Sequence, residues 1–123
     1  MKKITIEINE DNEVVSAYVE ERINRYDCAR TFNNTCIGWT NDQEVNLIFL
    51  KAQERYANEI VINRGHLFLN EVYDMLGIKR SKSGQLLGWV YDENKAVSFN
   101  YVPINSSDFI LMFNVDGDIL DKI

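Results

Sequence analysis

The chain has 123 residues, of which 46% are apolar and 26% charged, and these values predict one globular domain over residues 1–123. A formal net charge of −6 disfavours direct nucleic-acid binding, because phosphate contacts need clustered Lys and Arg. The acidic excess lies at the two ends, since residues 1–27 hold seven acidic and four basic residues and residues 92–123 hold six and two.

The N-terminus has no apolar signal segment, and no apolar run reaches the ~20 residues that a membrane helix needs. We therefore expect a cytoplasmic protein with no membrane partner. The two cysteines, Cys28 and Cys36, are predicted to be thiols in a reducing compartment rather than a disulfide.

The first predicted element is a β-strand over residues 3–8, where Ile alternates with polar or short side chains. Turn residues at 9–12 lead into residues 13–20, which fit either a second strand or a helix. The turn and the Val and Tyr content favour a β-hairpin. Residues 21–41 are predicted to form a short helical turn and then a loop, with Trp39 packed against the core.

A long helical segment follows, because apolar residues recur every three or four positions after Asp42. Asp42 is predicted to cap its start and Gly77 to end it. Gly65 interrupts the pattern, so either one helix runs from about residue 43 to 76 or two helices meet near Gly65. We favour a break there, with Asn63 capping the second helix.

Three strands are predicted after the helical segment, over residues 85–92, 97–102 and 108–115. Gly88 predicts a bulge or a close backbone approach in the first of them, and Pro103 is predicted to end the second. The short connections predict an antiparallel arrangement. The fold class is therefore α+β, with an N-terminal β-hairpin, a central long or bent helical segment and a C-terminal three-stranded antiparallel meander.

Residues for catalysis or metal binding are sparse. His66 is the only histidine, and the spacing of Cys28, Cys36 and His66 matches no metal-binding motif. A cysteine nucleophile with His66 as its base is formally available. A partly exposed histidine at a helix start is the better interpretation. The sequence therefore predicts no metal, no cofactor and no catalytic residue.

The candidate binding residues fall in two charged segments. The basic segment follows the predicted helix end, where it either complements the helix dipole as a solvated turn or forms a small contact patch. The acidic segment lies around the predicted hairpin turn, where it can face a basic partner. The basic residues are Lys79, Arg80 and Lys82, and the acidic residues are Glu10, Asp11 and Glu13.

Five motifs carry a resemblance to a known family: GWTND at 38–42, NLIFLKAQERYANE at 46–59, RGHLFLNEVYDMLGI at 64–78, SGQLLGWVYDE at 83–93 and FNVDGDI at 113–119. Over about residues 38–123 the chain resembles an uncharacterised family of phage and prophage proteins from Gram-positive bacteria. The resemblance implies a phage or prophage origin and a bacterial host cytoplasm. It implies no catalytic residue, since none is established for that family.

These observations favour a non-enzymatic protein-binding module whose partner is a host protein. The most concrete version is an anti-CRISPR-like inhibitor of a host defence nuclease. Its acidic side chains would replace DNA phosphates at the groove of a basic, nucleic-acid-handling enzyme. A self-associating assembly module, acting through a strand edge or a helix face, is the alternative, and a cysteine-dependent enzyme is the third hypothesis. The oligomeric state stays open.

Overall fold

The computed structural model describes residues 5–8 and 14–18 and the whole of residues 29–123. Strand β1, Thr5–Ile8, pairs antiparallel with strand β2, Val14–Tyr18, and the register shifts between Glu7 and Ile8. The predicted N-terminal hairpin is therefore confirmed, and residues 14–18 form a strand rather than a helix.

Helix α1, Gln43–Arg64, begins where the sequence predicted. The carboxylate of Asp42 accepts hydrogen bonds from the backbone N–H groups of Glu44 and Val45, at 2.9 and 3.3 Å, which satisfies donors that a helix start leaves open. The helix ends at Gly65, whose φ of 94° is open to glycine and strained for other residues. The predicted break at Gly65 is confirmed.

The segment after the break differs from the prediction. Residues His66–Phe68 form strand β4, and helix α2 covers only Leu69–Leu76 before it ends at Gly77 as predicted. Asn63 lies inside the last turn of α1, so its assignment as the cap of a second helix is wrong. The carboxylate of Glu71 takes the capping role instead, because it accepts the Phe68 backbone N–H at 2.8 Å.

Within residues 29–123 the strands form two three-stranded antiparallel sheets. The first sheet has the order β3, β7, β6, and the second has the order β4, β5, β8. The α+β class is confirmed, and the C-terminal region is rich in strands. The strand bounds are β3 Ala29–Phe32, β5 Leu87–Val90, β6 Val102–Pro103, β7 Phe109–Met112 and β8 Gly117–Asp118.

The predicted meander needs a correction, since β5 and β7 belong to different sheets and each pairs with an earlier strand. Strand β3 lies where the sequence predicted a helical turn and a loop, and all four of its residues are buried. Residues 21–28 lie outside the described residues. Both earlier partners are distant in sequence, so no local pattern indicated the pairing.

The predicted strand over residues 97–102 is reduced to Val102, which enters β6 together with Pro103. On one side this segment bonds β7 and the residues after it, since the Met112 and Asn114 backbone N–H groups donate to the Phe99 and Ser98 carbonyls at 2.8 and 3.1 Å. Side chains of α1 bond it on the other side. The amide of Asn58 accepts the Val97 N–H at 2.8 Å and donates to the Val97 carbonyl at 3.1 Å. The carboxylate of Glu54 accepts the Phe99 N–H at 2.8 Å and the Tyr101 hydroxyl at 2.7 Å. These bonds satisfy buried backbone groups without a ladder.

Both helices and both sheets contribute to one hydrophobic core. Trp39 packs against this core as predicted, and its indole N–H donates to Asp108 at 2.8 Å. Asn46 is fully buried and binds Thr40 and the Ser107 carbonyl, so it ties the start of α1 to the loop before β7. The largest fully buried side chains include Trp89, Tyr73, Phe32, Phe99, Phe113 and Leu50.

Gly88 makes the close backbone approach that the sequence predicted. A Cβ atom at this position would lie 2.1 Å from the Leu67 carbonyl oxygen of β4. We expect Gly88→Ala to lower the free energy of unfolding by about 2–4 kcal/mol, because strand backbone cannot move aside cheaply. The matched control is Gly65→Ala, whose Cβ would meet nothing and which carries only a backbone cost of ~1–2 kcal/mol. Equal losses in urea unfolding would contradict the contact.

Glu71 predicts a pH dependence. Burial is the largest single influence, and it raises the pKa of Glu71. Four interactions together outweigh burial and lower the pKa below 4.5: the hydrogen bonds from Arg64 and from the Phe68 N–H, and the charges of Arg64 and His66. A carboxyl with a lowered folded-state pKa stabilises above its unfolded pKa, and this contribution disappears as pH falls through the folded value. We expect the free energy of unfolding to fall more steeply from about pH 5 to about pH 3 in the wild type than in Glu71→Gln. Parallel slopes in urea titrations would refute this.

Candidate protein-binding surface

The predicted basic residues lie just after α2. The guanidinium of Arg80 donates to both carboxylate oxygens of Asp74, at 2.9 and 2.5 Å, and this bond lowers the pKa of the Asp74 carboxyl. The pair directs Arg80 back towards α2, while Lys79 and Lys82 are exposed. The turn at 79–82 therefore presents less positive charge than its sequence indicates.

The predicted acidic residues Glu10, Asp11 and Glu13 lie outside the described residues. Their role in binding therefore stays a prediction. Of the hairpin that carries them, the structure describes only the paired strands β1 and β2.

The residues considered for catalysis have ordinary structural neighbours. The Cys36 thiol, half-buried, donates to the Thr31 carbonyl oxygen at 3.6 Å. His66 lies in β4 rather than at a helix start, and its ring packs edge-on against Phe68 at a centroid distance of 5.6 Å. Cys28 lies outside the described residues. In the part of the chain that the structure describes, His, Cys, Asp and Glu form no group of three or more that could hold a metal ion.

Among the described residues, no helix combines the length and the hydrophobicity required to cross a lipid bilayer.

Helix α1 has a second apolar face, which we call the α1 outer face and define by Val45, Ile48, Tyr56 and Ile62. These side chains are 45–69% exposed, although they are large and apolar. The core side of the same helix already buries Leu50, Ala57 and Val61. A surface helix needs one apolar face for folding, so the second face is surplus to the fold of the residues that the structure describes.

Charged side chains accompany the α1 outer face. Two acidic residues, Glu44 and Glu59, lie towards its ends, and two basic residues, Lys51 and Arg55, lie at its middle. All four are exposed. The apolar side chains of the α1 outer face therefore alternate with charged ones along the helix, and a partner must contact both kinds.

A groove lies beside the C-terminal end of this face, between α1 and the turn that follows β5. We call it the Tyr91 groove. It has a volume of about 380 Å³, and Ile62 belongs both to it and to the α1 outer face. Its lining consists of Asn58, Val61, Ile62, Tyr91, Asp92, Glu93, Asn94, Lys95 and Ala96.

Hydrogen bonds hold the turn that forms the groove. The Tyr91 N–H donates to the Gly65 carbonyl at 2.8 Å, and the Asn94 N–H donates to the Asp92 carboxylate at 2.8 Å. The ammonium of Lys95 lies 2.5 Å from Asp116. The groove is therefore formed before any ligand arrives, and its lysine is already engaged by a carboxylate.

Neither the α1 outer face nor the Tyr91 groove was predicted from the sequence. Val45, Ile48 and Ile62 do not align with the core stripe of α1, and this mismatch was the available signal for an outer face. The Tyr91 groove had no such signal, because it depends on where the turn after β5 meets the end of α1.

Comparisons with known proteins place the chain among uncharacterised ones. The model of a family of unknown function (DUF6353) matches residues 1–123. The match confirms that the chain belongs to a family of unknown function, and it extends over the N-terminal residues as well. The phage or prophage origin stays a prediction. No curated protein and no solved structure matches the chain.

The α1 outer face predicts a contrast between two neighbouring positions. Ile48→Gln should change the free energy of unfolding by no more than about 0.5 kcal/mol, because Ile48 is 69% exposed. Leu50→Ala should cost about 2–5 kcal/mol, because Leu50 is fully buried. Urea unfolding of the two variants measures both effects. A loss at Ile48 as large as the loss at Leu50 would mean that another part of the chain covers this face.

Proposed function

Because the chain belongs to a family of unknown function (DUF6353), its own geometry must supply the hypothesis, and we propose that it is a non-enzymatic protein-binding module. The observation that carries the proposal is the α1 outer face. In this interpretation the core side of α1 serves the fold and the outer side serves the partner.

The dimensions of the face support the proposal. Val45 and Ile62 are seventeen positions apart, which corresponds to about 26 Å along a helix axis. A strip of that length and one helix diameter, about 10–12 Å, covers roughly 300 Å², so the α1 outer face would form one part of the ~800 Å² that each partner buries in a standard interface. Full burial of a large apolar side chain contributes roughly 1.5–3 kcal/mol, so completing the burial of four half-exposed side chains contributes about 3–6 kcal/mol towards association, and further contacts must supply the rest.

The charge pattern favours a different protein over a second copy. In a symmetric antiparallel pairing centred on α1, Lys51 and Arg55 of both copies would meet at the crossing point. Four like charges in one contact oppose association. A partner with an apolar ridge and an acidic group facing Lys51 and Arg55 fits better.

The finer hypothesis is that the partner is a basic, nucleic-acid-handling host enzyme and that the chain is of phage or prophage origin. The resemblance of its motifs and the acidic excess of both ends support this. In that case the α1 outer face supplies apolar contact area, and the acidic ends, including Glu10, Asp11 and Glu13, compete with nucleic acid for a basic groove.

The experiment is a capture from Gram-positive host lysate followed by calorimetry with the purified partner. We expect Ile48→Glu and Ile62→Glu to weaken binding about tenfold or more, since each buries a charge within the apolar contact. The matched control is Leu120→Glu, which introduces the same charge at a 53% exposed position outside α1. Equal affinities for all three variants would refute the proposed surface.

Two further measurements separate the alternatives. Sedimentation of the pure protein at high concentration should show a monomer, and a dimer abolished by Ile48→Glu would replace the partner with a second copy. If the captured partner is a nuclease, charge reversal at Glu10, Asp11 and Glu13 should reduce its inhibition. Undiminished inhibition would remove the mimicry mechanism and leave binding through α1 intact.

A further inference from the structure

We propose that the Tyr91 groove binds one arginine or lysine side chain of the partner protein. The inference rests on the proposed protein-binding function and adds the chemistry of one recognised residue. It follows from the combination of an apolar wall, an exposed aromatic ring and two carboxylates in a preformed groove.

The walls fit a long side chain with an apolar stem. Val61 and Ile62 line the groove from α1, and Tyr91 lines it from the turn after β5 with 52% of its surface exposed. Aliphatic stems of Lys and Arg pack on apolar surface, and a guanidinium group stacks on an aromatic ring. The volume of about 380 Å³ accommodates such a side chain together with its flanking backbone.

The charge of the lining favours a cation. Asp92 and Glu93 are exposed at the groove, and Lys95 is engaged by Asp116. The lining is therefore net negative towards an incoming group. The acidic excess of residues 92–123 strengthens the local field, which raises the encounter rate of a basic segment.

Other ligand classes fit less well. An anion would meet the carboxylates of Asp92 and Glu93 without a cation to oppose them, because Lys95 is paired. A metal ion would find too few ligands, since none of the described carboxylates joins them in a group of three. A wholly apolar ligand would desolvate both carboxylates without compensating them.

The position of the groove makes it part of the same interface. Ile62 contributes to both surfaces, so a partner lying along α1 reaches the groove without a gap. The apolar strip then supplies contact area, and the basic side chain fixes the register of the partner along the helix.

The test is an NMR titration of the ¹⁵N-labelled protein with the peptide acetyl-Gly-Arg-Gly-amide. The control peptide carries citrulline, which has nearly the shape of arginine and no charge. We expect the arginine peptide to shift the backbone amides of Asn58, Ile62 and residues 91–96 and to saturate. The citrulline peptide should bind about tenfold more weakly or worse, since it lacks the charge-assisted contacts.

Single substitutions test how much each lining residue of the Tyr91 groove contributes to peptide binding. Tyr91→Ala should weaken the arginine peptide about two- to fivefold, because the cation loses the ring while the backbone bond to Gly65 remains. Glu93→Gln should weaken it by a similar factor through the lost charge. The matched control is Asp121→Asn, which makes the same change of net charge at an exposed position outside the groove.

Several outcomes would overturn the inference. Shifts scattered over the acidic surface, or equal effects of Glu93→Gln and Asp121→Asn, would reduce the effect to general electrostatics. Equal binding of the citrulline peptide would show that the groove does not recognise the positive charge. The proposed protein-binding function is tested by a different result from the one that tests the groove. Ile48→Glu should leave peptide binding unchanged, and if the peptide does not bind while Ile48→Glu still abolishes partner binding, only the groove inference falls.

Discussion

The structure depends on polar side chains of α1 that replace strand partners. Backbone bonds from β7 and the residues after it reach residues 97–101 at the Ser98 and Phe99 carbonyls, so their other backbone groups need other acceptors and donors. Asn58 bonds both backbone groups of Val97, and Glu54 accepts the Phe99 N–H and the Tyr101 hydroxyl. Burial and the nearby Glu54 carboxylate raise the pKa of Tyr101, which keeps its hydroxyl a donor. A buried amide without such a partner costs about 1–3 kcal/mol, so these few residues determine how the C-terminal half lies on the helix.

Helix α1 therefore departs from the usual pattern of a surface helix, in which the inner side is apolar and the outer side is polar. Its inner side carries Asn46, Glu54 and Asn58 among the apolar residues, because the connecting segments need hydrogen bonds there. Its outer side carries large apolar residues that the described part of the chain leaves exposed. The polar inner residues are explained by the fold, since each has a named partner. The apolar outer residues have no such explanation within the described residues. For this reason we place the proposed protein-binding function on that side.

Local signals predicted the parts of the fold that local chemistry decides. The carboxylate of Asp42 and the glycines at 65 and 77 mark helix ends through their own conformations, and the alternation of the N-terminal strands is visible over a few residues. Strand β4 was missed because His66–Phe68 continues an apolar pattern that fits a helix equally well. The division of the C-terminal strands was missed because β3 and β7 are joined across most of the chain. The proposed binding surface was missed because the exposure of Ile48 and Ile62 depends on what packs against the helix.

The two parts of the proposed surface are linked by one residue. Gly65 ends α1 in a backbone conformation that other residues adopt at a cost, and its carbonyl then accepts the Tyr91 N–H. The stop of the helix therefore also fixes the position of the Tyr91 turn beside Ile62. Because Asp92 and Asp116 brace the same turn, the groove and the apolar strip are held in one arrangement before a partner arrives. A preformed surface loses less conformational entropy on binding, so a small area with one anchoring side chain can give a specific complex.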